Sequence, residues 1–418
     1  MKRKIRIIVG MLLLTIPLCM NAQVKPTKPE DPKPKTEKPE KPVVKPDAPK
    51  PGMRPDGPVK PDGPKPGMRP DGPMKPDAPK PGMDEPKGGI TMPKISGFVQ
   101  GMYQANLSDE GELVDNTFRM RRVRLSVDGK LSKTVSYKIQ GDFVRSPMLV
   151  DAFIKYKPCN EFAIQIGQFK TPFTLESPIN PVNLEIFDYG ENVQQLGGYS
   201  DICGIKAIGR DIGIMATGSL FPVEKNGETA YNIVDYAVGV FNGNGVNVID
   251  NNNRKDVVGR LEVHPGLKDL TLSGSYYYGQ YQTIDDHGTR NRWSAGVQYN
   301  DGKLVLRSEY FDGTTGYHTV DPEVSFIEQY RSSNGYYAVA GYNFMVGKDK
   351  SQKLMPVLRY EHFEPGNTNI TVDGTNWYTV GINYWPLKSV NFKLDYSLVQ
   401  KESSTNSHRI VGILSYKF

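Results

Sequence analysis

"SVNFKLDYSL", Ser389 to Leu398, alternates without a break. Val390, Phe392, Leu394, Tyr396 and Leu398 fall on one side, and Asn391, Lys393, Asp395 and Ser397 on the other. Period two is the repeat of a β-strand, whose successive side chains point to opposite faces, so this stretch is a strand with one apolar and one polar face. "TVSYKIQGDF" behaves alike: Val135, Tyr137, Ile139 and Phe143 oppose Ser136, Lys138, Gln140 and Asp142. "LVDAFIKYK" sets Val150, Ala152, Ile154 and Tyr156 against Asp151, Phe153, Lys155 and Lys157.

Working outward from these, sixteen such stretches occur after Ile95, beginning near residues 95, 118, 134, 148, 161, 208, 231, 256, 270, 291, 303, 336, 354, 376, 389 and 408. Most have the ~9–11 residues that carry a tilted strand across a bilayer. Short links such as "DGKLSK", "KPCNE", "HPGLKD", "NDGK", "GKDKSQK" and "WPLKS" interleave with longer ones. The longer gaps are 108–116, 170–207, 242–255, 280–289, 312–334, 364–375 and 401–407. Short and long links in alternation are the mark of an up-and-down transmembrane barrel. "VEKNGE" reads as a rather long turn and "VRSPM" as a short outer loop. A soluble β-sandwich also has half-apolar strands, but it buries its apolar face against a second sheet. Here 23 Tyr gather near strand ends, as in "SYYYGQY" and "NGYYAVAGY", which suits aromatic girdles at two membrane interfaces. The expected fold is all-β: a sixteen-stranded antiparallel transmembrane barrel over residues 95–418.

An even strand number puts both ends of the barrel on one side, the periplasmic one. The last strand carries Ile410, Gly412, Leu414, Tyr416 and Phe418 on its lipid face, and it must pair with the first to leave no open edge. Tyr416 and Phe418 look like the terminal signal by which outer-membrane barrels are recognised by the barrel-assembly machinery.

Two segments precede the barrel. Lys2, Arg3, Lys4 and Arg6 before the apolar run Ile7–Leu18, with a small residue at Ala22, read as a signal peptide over 1–22. Residues 23–94 are a Pro- and Lys-rich tail with a repeat of period 15, seen in "DAPKPGMRPDGPVKP" and "DGPKPGMRPDGPMKP". It has almost nothing to bury, so a disordered, polyproline II spacer is expected, reaching on the order of 200 Å if fully extended. Such a spacer suits a periplasmic linker, and it also suits a tether to peptidoglycan or another periplasmic partner.

Charge follows the same division. The whole chain is net +6, but from Ile95 onward 32 Lys and Arg meet 35 Asp and Glu, so the folded part gives no footing for nucleic acid. Cys159 and Cys203 are too few for a disulfide framework. His264, His287, His318, His362 and His408 lack metal-ligand spacing, and no nucleophile motif stands out. We therefore expect no metal, no cofactor and no enzyme.

Five segments occur in order: "FRMRRVRLSVDG" (118–129), "GQFKTPF" (167–173), "GRDIGI" (209–214), "VGVFNGNG" (238–245) and "VVGRLEVHP" (257–265). Together they resemble the phosphate-selective porin O and P family, and the ending "NAQ" of the leader resembles exported proteins of Bacteroidetes. The resemblance implies an outer-membrane barrel of a Gram-negative bacterium, often a homotrimer, whose third long outer loop folds inward to narrow the pore. That loop is 170–207 here, with Lys170, Glu176, Glu185, Asp188 and Glu191 as its constriction candidates. Its stretch from Thr171 to Asp201 holds no Lys or Arg, a departure from anion-selective members. By parity Arg122, Arg124, Lys138, Lys155, Arg260, Arg307, Arg359 and Lys393 face the lumen, while Arg119 and Arg121 face outward. The expected function is passive diffusion of small hydrophilic solutes or ions, anions such as phosphate among them. The alternative is a structural anchor that ties the envelope together through the tail.

Overall fold

The computed structural model describes residues 91–418 apart from 268, 283–286, 320–326, 367–373 and 403. The signal-peptide and tail readings for 1–90 lie outside the described residues.

Strands β1 (Lys94–Leu107), β2 (Leu113–Lys130), β3 (Val135–Asp142), β4 (Leu149–Tyr156), β5 (Ala163–Lys170), β6 (Arg210–Lys225), β7 (Glu228–Phe241) and β8 (Asp256–Val263) make the first half of the sheet. Strands β9 (Leu270–Gln282), β10 (His287–Asn300), β11 (Leu304–Thr319), β12 (Ile327–Tyr342), β13 (Phe344–Val346), β14 (Gln352–Glu364), β15 (Thr375–Leu387), β16 (Val390–Lys401) and β17 (Ser407–Lys417) make the second. β12 and β13 are one strand interrupted at Asn343, since both pair with β14, so the wall has sixteen staves as expected. Every neighbouring pair is antiparallel, and β1 closes on β17 in a register running from Phe98 opposite Lys417 to Leu107 opposite His408. Phe418 and Gly97 exchange backbone hydrogen bonds of 3.1 and 3.0 Å, so the last residue is held in the ladder.

The burial pattern is that of a soluble protein turned inside out. On β16 the polar residues Asn391, Lys393, Asp395 and Ser397 are buried, whereas Phe392, Leu394 and Tyr396 are exposed. On β17 Val411, Ile413 and Ser415 point in, and Leu414, Tyr416 and Phe418 point out. An apolar outer band is stable only against lipid. Tyr103 against Phe118, Trp293 against Tyr310 and Tyr360 against Tyr378 form ring contacts on that outer band.

Three expectations are corrected. "VEKNGE" is a two-residue hairpin: Asn226 and Gly227 both have positive φ (57° and 78°), the geometry whose twist matches the flanking strands. Several strands outgrow the expected length at the end opposite Phe418; β2 has 18 residues, and β11 and β12 have 16 each. Polar cross-strand bonds such as Tyr317 to Gln329 (2.7 Å) continue the ladder there, where apolar alternation no longer signals it.

The third concerns the arginines of β2. Gln100 pairs with Arg122 but Gly101 pairs with Met120, so Arg121 is the extra residue of a β-bulge. A bulge switches strand parity. Arg119 thereby comes onto the lumenal face with Met102 and donates to Gln104, and Arg121 reaches Asp188. Neither side chain faces outward.

Candidate functional site: a loop-lined passage through the barrel

The longest link between strands, residues 171–209, folds into the lumen, one to two residues off the expected limits because Lys170 still belongs to β5. Its local structure is stiff. The Asn180 side chain caps a 3-10 turn at Pro181–Asn183, accepting from the Val182 amide at 3.1 Å. A short helix follows at Glu191–Gln195, capped by Leu196, and the chain then turns through Gly197 and Gly198, the latter with φ 79°. Phe173, Leu184, Ile186, Tyr189, Val193, Leu196 and Tyr199 form one cluster with Phe241, Val258, Tyr277, Phe311, Tyr337, Val339, Val357 and Phe363 of the wall. Burying each such side chain contributes roughly 1.5–3 kcal/mol, so the loop docks chiefly by apolar burial against β7 to β14.

The polar groups of the loop are then satisfied one by one. Glu176 accepts from Arg359 at 2.6 Å and lies 3.5 Å from Arg307. Glu185 takes Arg307 at 2.5 Å, and Asp201 takes both Nη atoms of Arg292 at 2.6 and 2.7 Å. In the other direction, wall carboxylates accept loop amides: Glu361 from the Asn192 amide (2.7 Å) and side chain (2.9 Å), Glu309 from the Leu175 amide (3.1 Å). Lys393 donates to the carbonyls of Leu184 and Ile186, and Asn383 to that of Glu185 at 2.7 Å. Asp188 accepts from Arg121 and, at 2.8 Å, from Arg122. Burial pushes the Asp188 carboxyl up, but the two guanidiniums outweigh it and hold it down at about 2. Glu185 and Asp201 are likewise raised by burial and lowered further by Arg307 and Arg292. Glu191 differs: burial, with Glu361 nearby, raises it, and its partner is the Gln195 amide at 2.8 Å.

Arg307, Arg359 and Lys393, assigned by parity to the open lumen, do point inward, but they end beneath the loop at 3, 4 and 3 % exposure. Parity finds the face of a strand and says nothing of what covers it. Arg290 and Arg292 were missed altogether, although "RNRWS" alternates so as to put both on the face of Ser294. Arg210 was missed because it opens β6 beside the inward Asp211; it bonds Asp151 at 2.7 and 3.4 Å.

Along β2 to β8 the loop leaves three cavities in series; a fourth, about 590 Å³, lies between Glu191, Gln195 and Asp201 of the loop and Arg331, Phe363 and Lys401 of the opposite wall. At the end remote from Phe418, about 310 Å³ is lined by Arg121, Arg122, Arg124, Arg145, Lys206 and Arg210, with Asp142 and Asp188. The middle cavity, about 380 Å³, shares Arg124, Pro181 and Arg210 with it and adds Lys138, Lys170, Arg260 and Asp151. The third, about 240 Å³, shares Thr217, Ala237 and Arg260 and adds Lys155, Lys157, Asp235 and Glu262. Some of these cations are paired, as Arg124 is to Asp142 at 2.9 Å. Arg145, Lys155, Lys157, Lys170 and Lys206 take part in no ion pair among the described residues. Lys170 instead donates to the carbonyls of Ser177 and Ile179 and to the Tyr189 hydroxyl.

A closed sixteen-stranded barrel with an apolar outside, a polar lumen and a loop that narrows it defines a membrane pore. The phosphate-selective porin O and P family matches residues 94–418, and the chain belongs to that family: it is a diffusion channel of the outer membrane. No curated protein sequence matches the chain significantly. Among solved structures, OmpT of Vibrio cholerae lacking loop L8 superposes with a TM-score of 0.55 at 13% identity, covering 78% of this chain and 99% of that one. An anion-selective porin of Comamonas acidovorans gives 0.55 at 12% identity, over 78% and 99%. The channel DcaP of Acinetobacter baumannii gives 0.53 at 13%, over 80% and 99%. At such identities the likeness is one of fold.

Proposed function

We propose that the channel prefers anions, and that Arg122, Arg124, Lys138, Lys155, Lys170 and Arg260 form the basic wall past which they move. One observation carries this reading. Of the loop's five acidic groups, Glu176, Glu185 and Asp201 are bonded to Arg359, Arg307 and Arg292 on the far side of the lumen, and Asp188, which does line the passage, is matched by two guanidiniums, those of Arg121 and Arg122. Glu176, Glu185 and Asp201 are therefore withdrawn from this passage, and Arg145, Lys155, Lys157 and Lys206, with no carboxylate partner among the described residues, are left beside it together with Lys170, whose ammonium is held by loop carbonyls. Fixed positive groups in a narrow, low-dielectric passage attract anions and repel cations. The family name and the anion-selective porin of like fold agree with this.

The test is the reversal potential of the refolded barrel in a planar bilayer under a KCl gradient. An anion-sided potential is expected; a neutral or cation-sided one would refute the preference. Adding phosphate then shows whether that anion competes for the same wall by lowering the chloride current.

The same reading places residues 1–22 as a removed signal and 23–94 as a periplasmic spacer, with both barrel ends periplasmic. It takes Tyr416 and Phe418, both on the lipid face, as the assembly signal. A homotrimer is proposed from the trimeric form described for OmpT of Vibrio cholerae, and cross-linking of the membrane-extracted protein tests it. Whether the tail also tethers the wall is tested by deleting residues 24–90 and assaying association with peptidoglycan.

A further inference from the structure

At the Phe418 end of the passage, β7 and β8 bring three potential metal ligands onto one lumenal face. Asp235 sits directly opposite Glu262 in the ladder, and His264 follows Glu262 by two residues, on the same side. One ligand atom from each, taken together, all lie within 4.8 Å of one another. Spacing along the chain did not single out His264, because Asp235 lies 29 residues away and only strand pairing joins them.

Hydrogen bonds around this trio turn its ligand atoms toward one another. His264 Nδ1 lies 3.2 Å from both the Leu270 carbonyl and the Thr271 hydroxyl, and these contacts fix the ring. Nε2 is thereby brought to 3.0 Å from Asp235 Oδ2. The separation is close to the span between two ligands of one tetrahedral zinc, whose bonds to N and O are ~2.0–2.2 Å. Asp235 is oriented from behind, its Oδ1 accepting from Ser219 at 2.5 Å, just as the Leu270 carbonyl orients the imidazole. Such outer contacts are what fix ligands at metal sites. Glu262 is at present held by Arg260, at 3.1 Å, and both line the third cavity. An arriving ion would take that carboxylate and release Arg260 Nε toward the passage.

We propose that Asp235, Glu262 and His264 form a site for a divalent transition cation at this mouth, with its remaining positions open to water in the passage. One imidazole and two carboxylates suit zinc and its neighbours better than calcium or magnesium, which take oxygen alone. The inference rests on the ligand geometry and does not need the anion preference to hold.

The test is titration of the folded, detergent-solubilised mature chain with ZnCl2 by calorimetry. One saturable site is expected, weakened at least tenfold in His264→Ala and in Asp235→Asn, and unchanged in His408→Ala. No saturable binding to the wild type, or equal binding to His264→Ala, would overturn the proposal. Because a variant could fail to fold, the wild type is also modified with diethylpyrocarbonate and read by mass spectrometry. Zinc should protect His264 and leave His408 reactive; modification of His264 unaffected by zinc would overturn the site. A barrel that binds zinc here yet shows no anion-sided reversal potential without zinc would refute the channel's preference and leave the site standing.

Discussion

Glu176 of the loop and Arg359 of β14 meet at 2.6 Å, 183 residues apart in sequence, and both side chains are almost wholly enclosed. The pair works as one clasp. Arg359 also touches Glu361 at 3.3 Å and lies over the Tyr337 ring at 4.2 Å, while Glu361 grips the Asn192 amide. Desolvating both charges costs about as much as their attraction returns, so the clasp adds position more than net stability. Removing one partner is another matter, since it strands a buried charge.

Glu176→Gln should therefore loosen the loop without unfolding the barrel. Breaking a buried pair on one side costs about 3–5 kcal/mol. A larger single-channel conductance with more open-state noise is the expected result, with unaltered heat-modifiable migration of the barrel.

Gly190→Ala should do the same by sterics. A Cβ at this position would fall 1.9 Å from Arg359 Nη2 and 2.3 Å from Glu361 Oε2, where nothing can stand. Gly335→Ala, opposite on β12, would put its Cβ 1.9 Å from Asn192 Oδ1 and is expected to act alike. Both variants are read by conductance against the wild type, and an unchanged conductance would mean the loop does not limit flow.

Lys170→Glu and Lys155→Glu place carboxylates on the basic wall. The reversal potential in a KCl gradient should move toward the cation side in each, and further in the double variant. Lys303→Glu, in an exposed turn, is the control and should leave it in place.

Acid should free the loop's tip from β2. The Asp188 carboxyl is held at about 2 in the docked loop, below its ordinary value, so docking binds fewer protons than the released state. The contribution of this contact is complete above about pH 4 and falls away as the pH drops toward 2, amounting to about 2 kcal/mol. Conductance recorded between pH 5 and pH 2 should rise over that window, and Asp188→Asn should remove the dependence.

Strand count and the lipid face are legible along the chain because each depends on neighbours one or two residues apart. Alternation in "SVNFKLDYSL" suffices to predict that Phe392 and Leu394 face lipid and Lys393 and Asp395 face in. The length of the gap after Lys170 was enough to mark the loop. Arg121 shows where this reasoning stops: a bulge in the β1–β2 pairing changes which side it faces, and pairing register is not written in either strand alone.

The chain's own pattern of apolar and polar residues thus determined a sixteen-stranded barrel with one long acidic loop, since period two and link length are local properties; that the loop folds inward was implied by the family resemblance. Which charges remain on the passage was decided by the tertiary structure. Glu176, Glu185 and Asp201 meet Arg359, Arg307 and Arg292 only when the loop crosses the lumen to the far wall. Opposite charges cancel according to distance, and distance across a barrel is set by closure and docking rather than by order along the chain.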